Sequence, residues 1–398
     1  SIVELNKLIS EESKPWASRA RFLKAHCLLQ KKNFYGAEEI LEVLSKNPNF
    51  ALYDYSKFAI ASVSFDRKDY EKASALYVEI PSDSALKIEA DIKRAECLNE
   101  LGQYGQAIEI YKSIILNNPS SASLDKARFN LGKCYERAKM PKEAIKSYHE
   151  VNLYHPLSPH LKECVARINN LSKKHKIYPD AASAEDLFNK AMIFYNFGDF
   201  NSAAMFFQKI VSNYKGNELW EDALFKLAMC NYKKRKLKLA ITRFKICADR
   251  GGNNAPAAQF YLAFAYGKAG YFYQALDSLN KVINNYPDSP YADDAAYYLG
   301  HYYEANGFKD NALDCYRKSV EKFPKSEFAD DAYWKIGKFY YFNKDYEEAK
   351  DIFEKAIEIC SDGSMLDACA YWRALSQEKI GNRSEAIASY QFVISRYD

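Results

Sequence analysis

The chain has 398 residues, 48% of them apolar, and 56 Lys and Arg against 52 Asp and Glu leave a net charge of +4. So small a basic excess gives no ground for a nucleic-acid partner, and no stretch approaches the ~20 consecutive apolar residues of a membrane-spanning helix. The chain starts at Ser1 and shows no signal peptide, which suggests a trimmed or mature form.

Taken in chain order, one pattern recurs ten times: a small residue followed twelve positions later by alanine. The pairs are Ala25/Ala37, Ala61/Ala73, Ala95/Ala107, Gly132/Ala144, Ala191/Ala203, Ala228/Ala240, Ala263/Ala275, Gly300/Ala312, Gly337/Ala349 and Ala374/Ala386. Four residues past each second alanine stands a large residue: Leu41, Tyr77, Tyr111, Tyr148, Phe207, Phe244, Leu279, Tyr316, Phe353 and Tyr390. Two helices approach closely only where the side chains between them are nearly absent, so each pair predicts a helical hairpin crossing with a knob one turn away. Gly102, Gly198, Gly270, Gly307 and Gly381 sit where the hairpin reverses. Pro48, Pro119, Pro156, Pro287 and Pro324 follow the second helices, where a missing N–H ends a helix.

Successive first positions step by 36, 34, 37, 59, 37, 35, 37, 37 and 37 residues. The long step holds Leu161, Val165, Ile168 and Leu171 at helical spacing before Pro179, which predicts one inserted helix. The expected organisation is an N-terminal array of four hairpins over 1–157, a linker helix over 158–180 and a C-terminal array of six hairpins over 181–398. The pattern resembles the tetratricopeptide repeat, and the expected fold is an all-α helical-hairpin solenoid of about ten repeats, wound as a right-handed superhelix. Such a solenoid buries a continuous core, which accounts for the apolar fraction without a ligand pocket.

Chemistry-bearing motifs are sparse. Nine cysteines without a CxxC pair argue against a metal cluster, and Cys27, Cys97, Cys134 and Cys230, each two residues after a small residue, read as packing. Cys360 and Cys369 flank a loop and would pair only in an oxidising compartment. The six histidines keep no ligand spacing, and no phosphate loop or nucleophile elbow is present, so neither cofactor, metal nor catalytic residue is assigned. Asp293/Asp294 and Asp330/Asp331 stand ahead of first helices and read as helix caps and dipole partners, with catalytic carboxylates as the alternative.

Two surface features are candidates for recognition. A row of aromatics three residues before the small position, including Phe188, Phe225, Phe260, Tyr297, Trp334 and Tyr371, either faces an inner concave wall or seals one hairpin against the next. A basic run, Lys233, Lys234, Arg235, Lys236 and Lys238, is either a solvated helix end or a patch for an anionic partner.

The later repeats, with their recurrent P-x-S-x-x-A-D-D-A lead-in at Pro287 and Pro324, resemble bacterial envelope proteins. The closing hairpin carrying Tyr371, Trp372, Arg373, Ala374, Gly381, Ala386 and Tyr390 is similar to the last superhelical repeat of soluble lytic murein transglycosylases. The segment from Val151 to Leu171 looks like that family's linker helix. The resemblance implies a periplasmic or envelope location and a non-catalytic superhelix that positions the enzyme on peptidoglycan. It does not supply the catalytic glutamate, because the Glu12/Ser13 pair has no Gly-Leu-Met-Gln segment after it. The alternatives are a free-standing adaptor for a protein or peptide partner and an envelope-assembly lipoprotein of the same repeat type.

Overall fold

A computed structural model describes residues 2–10, 16–119, 121–360 and 365–395; Glu12 and Ser13 lie outside them. Among the described residues are 22 α-helices and no strand. Helix α1 (Ile2–Ser10) precedes four hairpins: α2 (Trp16–Gln30) with α3 (Phe34–Leu44), α4 (Tyr53–Asp66) with α5 (Tyr70–Val78), α6 (Lys87–Glu100) with α7 (Tyr104–Asn117), and α8 (Leu124–Arg137) with α9 (Pro141–Tyr154). A single helix, α10 (Leu161–His175), follows. Six further pairs complete the chain: α11 (Ala184–Phe197) and α12 (Phe200–Asn213), α13 (Trp220–Lys233) and α14 (Leu237–Arg250), α15 (Ala255–Lys268) and α16 (Phe272–Asn285), α17 (Ala292–Ala305) and α18 (Lys309–Lys322), α19 (Ala329–Phe342) and α20 (Tyr346–Ile359), and α21 (Leu366–Ile380) and α22 (Arg383–Ile394). Two compact units divide inside α11, between Lys190 and Ala191.

The small–large pattern is the packing rule of every hairpin. A methyl group placed on Gly132, Gly300 or Gly337 would sit only 2.5, 2.7 and 2.5 Å from the rings of Tyr148, Tyr316 and Phe353. The ring from the second helix therefore occupies the space a side chain would need on the first. Tyr77, Tyr148, Phe207, Phe244, Leu279 and Phe353 are completely buried, whereas Tyr390 in the last hairpin is only half-buried.

Turn chemistry is more uniform than the glycines alone suggest. The seventh residue after the small position is left-handed in all ten hairpins. Glycine fills it five times, as at Gly307 (φ 84°), and Lys32, Lys68, Lys139, Arg235 and Lys344 fill it otherwise, with φ from 56° to 69°. A cation at this position follows the negative end of the first helix, a placement that favours positive charge and offsets part of the strain of a left-handed L-residue. Asn33, Asp69 and Asp199 then cap the second helices, accepting from the N–H groups of Gly36, Lys72 and Ser202.

Helix α10 is a first helix without its partner. It packs on α9 within the first unit, burying Cys164, Ile168 and Leu171, and Arg167 reaches Glu136 at 2.7 Å. Lys335 of α19 meets Glu304 in the same manner at 2.9 Å. Val165, expected on the apolar stripe, is exposed, because burial follows Cys164, Ile168 and Leu171 instead. The helix stops at Lys176, another left-handed residue (φ 55°).

Gly337→Ala lowers unfolding stability by about 1 to 3 kcal/mol through overpacking against Phe353. Gly105→Ala, where nothing lies within 4 Å, leaves stability unchanged or raises it by up to ~1 kcal/mol; urea unfolding followed by circular dichroism compares the two. At the turns, Lys344→Gly raises stability by about 0.5–1 kcal/mol and Gly307→Ala lowers it by a similar amount. Equal midpoints for these turn variants and the parent chain would remove the strain assigned to this position.

Candidate functional site

The Asp pairs that open first helices do more than complement helix dipoles. Asp330, almost fully buried, accepts the Met365 N–H at 2.8 Å from the following hairpin. Its neighbour Asp331 accepts the Tyr297 hydroxyl from the preceding one. Asp125 with Ser158 and Asp222 with Asn254 make comparable forward ties, at 2.7 and 2.6 Å. The N-cap residues of α17 and α19, Tyr291 and Phe328, make no side-chain cap, while Asp330 accepts the Asp331 N–H at 2.8 Å in the first turn of α19, so there a bond to the helix's own N-terminus is joined by stitching between hairpins.

Of the aromatic row, Phe225, Phe260 and Tyr297 are buried in the seams between hairpins. Phe225 packs 6.1 Å from Tyr261, Phe260 lies 5.3 Å from Tyr291, and Tyr297 stacks 4.7 Å from Phe328. Buried edges of this kind present no face to a ligand. Phe188, in the first unit, is half-buried. Tyr371 is exposed beside Trp372, and Trp334 is half-buried at the mouth of a cavity. The row is therefore a set of seals with accessible rings at its end, and no continuous ladder.

The basic run is spread over one turn. Lys233 ends α13, Arg235 is the left-handed turn residue, Lys236 is the N-cap residue of α14 and Lys238 lies in its first turn. Lys234 lies close to Asp199, whose carboxyl is held below its ordinary range first by hydrogen bonds from Ser202 and then from Asn201, with a smaller contribution from Lys234. Nearby, Arg243 donates to Gln208 at 2.7 Å, and Lys226 lies over Tyr195. The run decorates a turn and lines none of the larger cavities described for the second unit.

Trp334 belongs to a groove of about 340 Å³ between the α17/α18 hairpin and α19. Trp334, Lys338 and Phe342 succeed one another at four-residue spacing along α19, so they share one stripe of the helix. The Lys338 ammonium stands 4.1 Å from the Trp334 ring centroid, 5.4 Å from that of Trp372 and 5.8 Å from that of Phe342. Across the groove are Lys309, Leu313 and Glu304.

The groove's single carboxylate is already engaged. Glu304 accepts from Lys335 at 2.9 Å and from the Tyr316 hydroxyl at 2.9 Å. Burial alone would raise its pKa, but these two donors outweigh burial and hold it below the ordinary range. Lys338 has no acidic partner within salt-bridge distance among the described residues, and the Trp334 indole N–H is shielded from water without an acceptor. Phe342 is 65% exposed. The exposed Phe342 ring, the half-buried Trp334 ring and a lysine without an acidic partner form a surface suited to an acceptor-bearing, partly apolar ligand.

Lys309, Lys338 and Phe342 were not singled out by the sequence reading. The signal was the four-residue spacing from Trp334, joined to a lysine with no acid three or four residues away on its helix. All nine cysteines are free, so Cys360 and Cys369 do not pair in this structure. Burial first and foremost pushes the Cys97, Cys134 and Cys230 thiols up to about 12, 11 and 12. Cys27, expected to pack with them, is only half-buried.

Near the same seam, Asp294 is raised to about 6, chiefly by burial and then by Asp293 and Glu327. A raised folded-state pKa means that the native chain binds more protons than the unfolded chain between about pH 4 and pH 6, so stability is lost as pH rises through that window. Asp294→Asn is accordingly expected to raise the thermal midpoint at about pH 7 and to lose that advantage below about pH 4. Thermal melts across that range check it, and a gain independent of pH would show that ionisation of the buried Asp294 carboxyl is not its source.

Two tetratricopeptide repeat models match the chain, one at residues 89–121, 126–158, 187–217, 222–250, 257–289 and 368–398, the other at 330–362. No curated protein matches. Among solved structures, the chain is similar to MamA at 25% identity and a TM-score of 0.36, over 46% of this chain and 97% of that one. A second similarity is to YrrB, described as a TPR protein with an unusual peptide-binding site, at 20% identity and a TM-score of 0.34, over 50% and 94% of the two chains. A third is to MamA from Desulfovibrio magneticus RS-1, residue 41 to its end, at 17% identity and a TM-score of 0.37, over 46% and 97%. With ten hairpins of one spacing and seven matched repeats spread over more than half its length, this chain belongs to the tetratricopeptide-repeat proteins.

Proposed function

We propose that the chain is a non-catalytic interaction scaffold that holds a segment of another protein in the groove at Trp334. The observation that carries this reading is the conjunction of half-buried Trp334 and exposed Phe342 with a lysine that lacks an acidic partner, Lys338, on one stripe of α19. Aromatic side chains that keep one face accessible serve as binding anchors, because they contribute area at low entropy cost. A helical solenoid is rigid through its packed seams, so a groove between two hairpins is largely formed before a ligand arrives.

The test is selection of binding peptides from a random displayed library, followed by affinity measurement on Trp334→Ala and Phe342→Ala. Selected peptides are expected to lose about tenfold or more in affinity on either variant, the scale of an aromatic anchor. Unchanged affinity in both, with helicity intact, would remove the groove as the binding surface.

A superhelix that positions a lytic transglycosylase on murein in the cell envelope remains the finer reading. It is supported by the order of the repeats and the closing hairpin through Tyr371, Trp372 and Arg373, where Tyr371 offers an exposed ring to a sugar. Sedimentation with insoluble peptidoglycan separates the two: retention that is lost in Tyr371→Ala and kept in Phe342→Ala would favour murein over a protein segment.

A further inference from the structure

We infer that the ligand of the Trp334 groove is an acidic peptide segment, in which a carboxylate meets Lys338 and Lys309 while an adjacent apolar side chain lies on Phe342 and Leu313. This rests on the scaffold reading above and adds the chemistry of the partner. Charge complementarity carries it. Three ammonium groups, those of Lys309, Lys335 and Lys338, line the groove against the one carboxylate of Glu304. Glu304 is committed to Lys335 and Tyr316, so the remaining positive charge of Lys309 and Lys338 is the part a partner would neutralise.

The hydrogen-bonding inventory points the same way. Lysine ammonium groups are donors only. A ligand rich in acceptors satisfies them. A cationic segment would instead confront Lys338, which already occupies the space over Trp334, Trp372 and Phe342. An aromatic or aliphatic neighbour to the acid is required because Phe342, 65% exposed, and Leu313 flank the lysines and contribute only when covered.

The experiment uses fluorescein-labelled peptides of equal length in which Glu-Phe-Asp, Gln-Phe-Asn or Lys-Phe-Lys is embedded in a Gly-Ser frame, titrated onto the whole chain by fluorescence polarisation. The acidic peptide is expected to bind about fivefold or more tightly than its amide counterpart, the value of one or two partly exposed ion pairs. Its affinity should fall as salt rises. Lys338→Glu and Lys309→Glu should each weaken the acidic peptide about tenfold, since attraction becomes repulsion. Lys236→Glu, with the same net charge but on the α13–α14 turn, should leave affinity unchanged. Lys309→Glu guards against disturbance of the rings around Lys338, as Lys309 begins a helix at the surface.

Equal affinity of acidic and amide peptides, with Trp334→Ala still impairing both, would overturn the acidic partner and leave the scaffold reading standing. Loss of the acidic peptide in Lys236→Glu rather than in the groove variants would overturn this assignment and move the anionic site to the turn. No binding by any of the three peptides, while library-selected peptides still bind at Trp334, would likewise overturn the acidic segment. If no selected peptide binds either, the scaffold reading fails with it.

Discussion

The close approach of paired helices at a small residue is the constraint on which the rest of the structure depends. At Gly132, Gly300 and Gly337 the facing ring comes nearer than any β-carbon tolerates, so helix separation, ring orientation and burial are set together. Once that crossing is fixed, the residue four positions after the second alanine has only one place to go. Nine of these ten large residues are at most 3% exposed. The tenth, Tyr390, belongs to the hairpin against which no further described helix packs.

Within this constraint the hairpins vary in a coupled way. Where the knob is Tyr148, Tyr316 or Tyr390, the residue twelve positions earlier is Glu136, Glu304 or Glu378, and the hydroxyl donates to that carboxylate at 2.6 to 3.2 Å. Where the knob is Phe207, Phe244 or Phe353, the same position holds Tyr195, Tyr232 or Tyr341. A buried hydroxyl needs a partner, and three tyrosine knobs find it there; Tyr77 and Tyr111 have Phe65 and Asn99 at that position, and Tyr77 pairs its hydroxyl with Ser62 at 3.0 Å instead. The next helix takes part as well: Arg167 on Glu136 and Lys335 on Glu304 bring a cation to the carboxylate that the tyrosine has drawn into the seam. A local choice of knob thus reaches across to the neighbouring hairpin.

Repetition made the fold legible in the sequence. Ten copies of a small residue and an alanine at a fixed interval leave little freedom of register, and the 59-residue step marked α10 because nothing else in the chain broke the period. What stayed hidden has physical causes. The left-handed turns at Lys32, Lys68, Lys139, Arg235 and Lys344 carry no glycine to mark them, because a lysine or arginine there looks like any surface residue in the sequence. Helix α1 has no buried residue and no place in the repeat, so no pattern announced it. The aromatic row failed as a guide to the groove because one position serves two purposes: Phe225, Phe260 and Tyr297 turn into the seams, while Trp334 lines a cavity. Sequence spacing gives a residue's helical face but not the depth of its neighbours.

The groove owes its character to positions that the packing rule leaves unconstrained. One residue after the small position, the ten hairpins carry His26, Ser62, Glu96, Lys133, Met192, Met229, Phe264, His301, Lys338 and Leu375. Five residues after it they carry Gln30, Asp66, Glu100, Arg137, Asn196, Lys233, Lys268, Ala305, Phe342 and Lys379. Neither series keeps one residue type, in contrast to the small residues and knobs on either side. Phe342 is the single aromatic in the second series, and Ala305 just before it is the smallest side chain there. A small residue followed one hairpin later by a large exposed ring opens space on one side and supplies a wall on the other, beside Trp334 and Lys338. Because these substitutions do not touch the helix crossings, they change the surface at little cost to the fold. On the reading proposed above, that separation lets one repeat carry a recognition site while its neighbours, built on the same frame, remain structural.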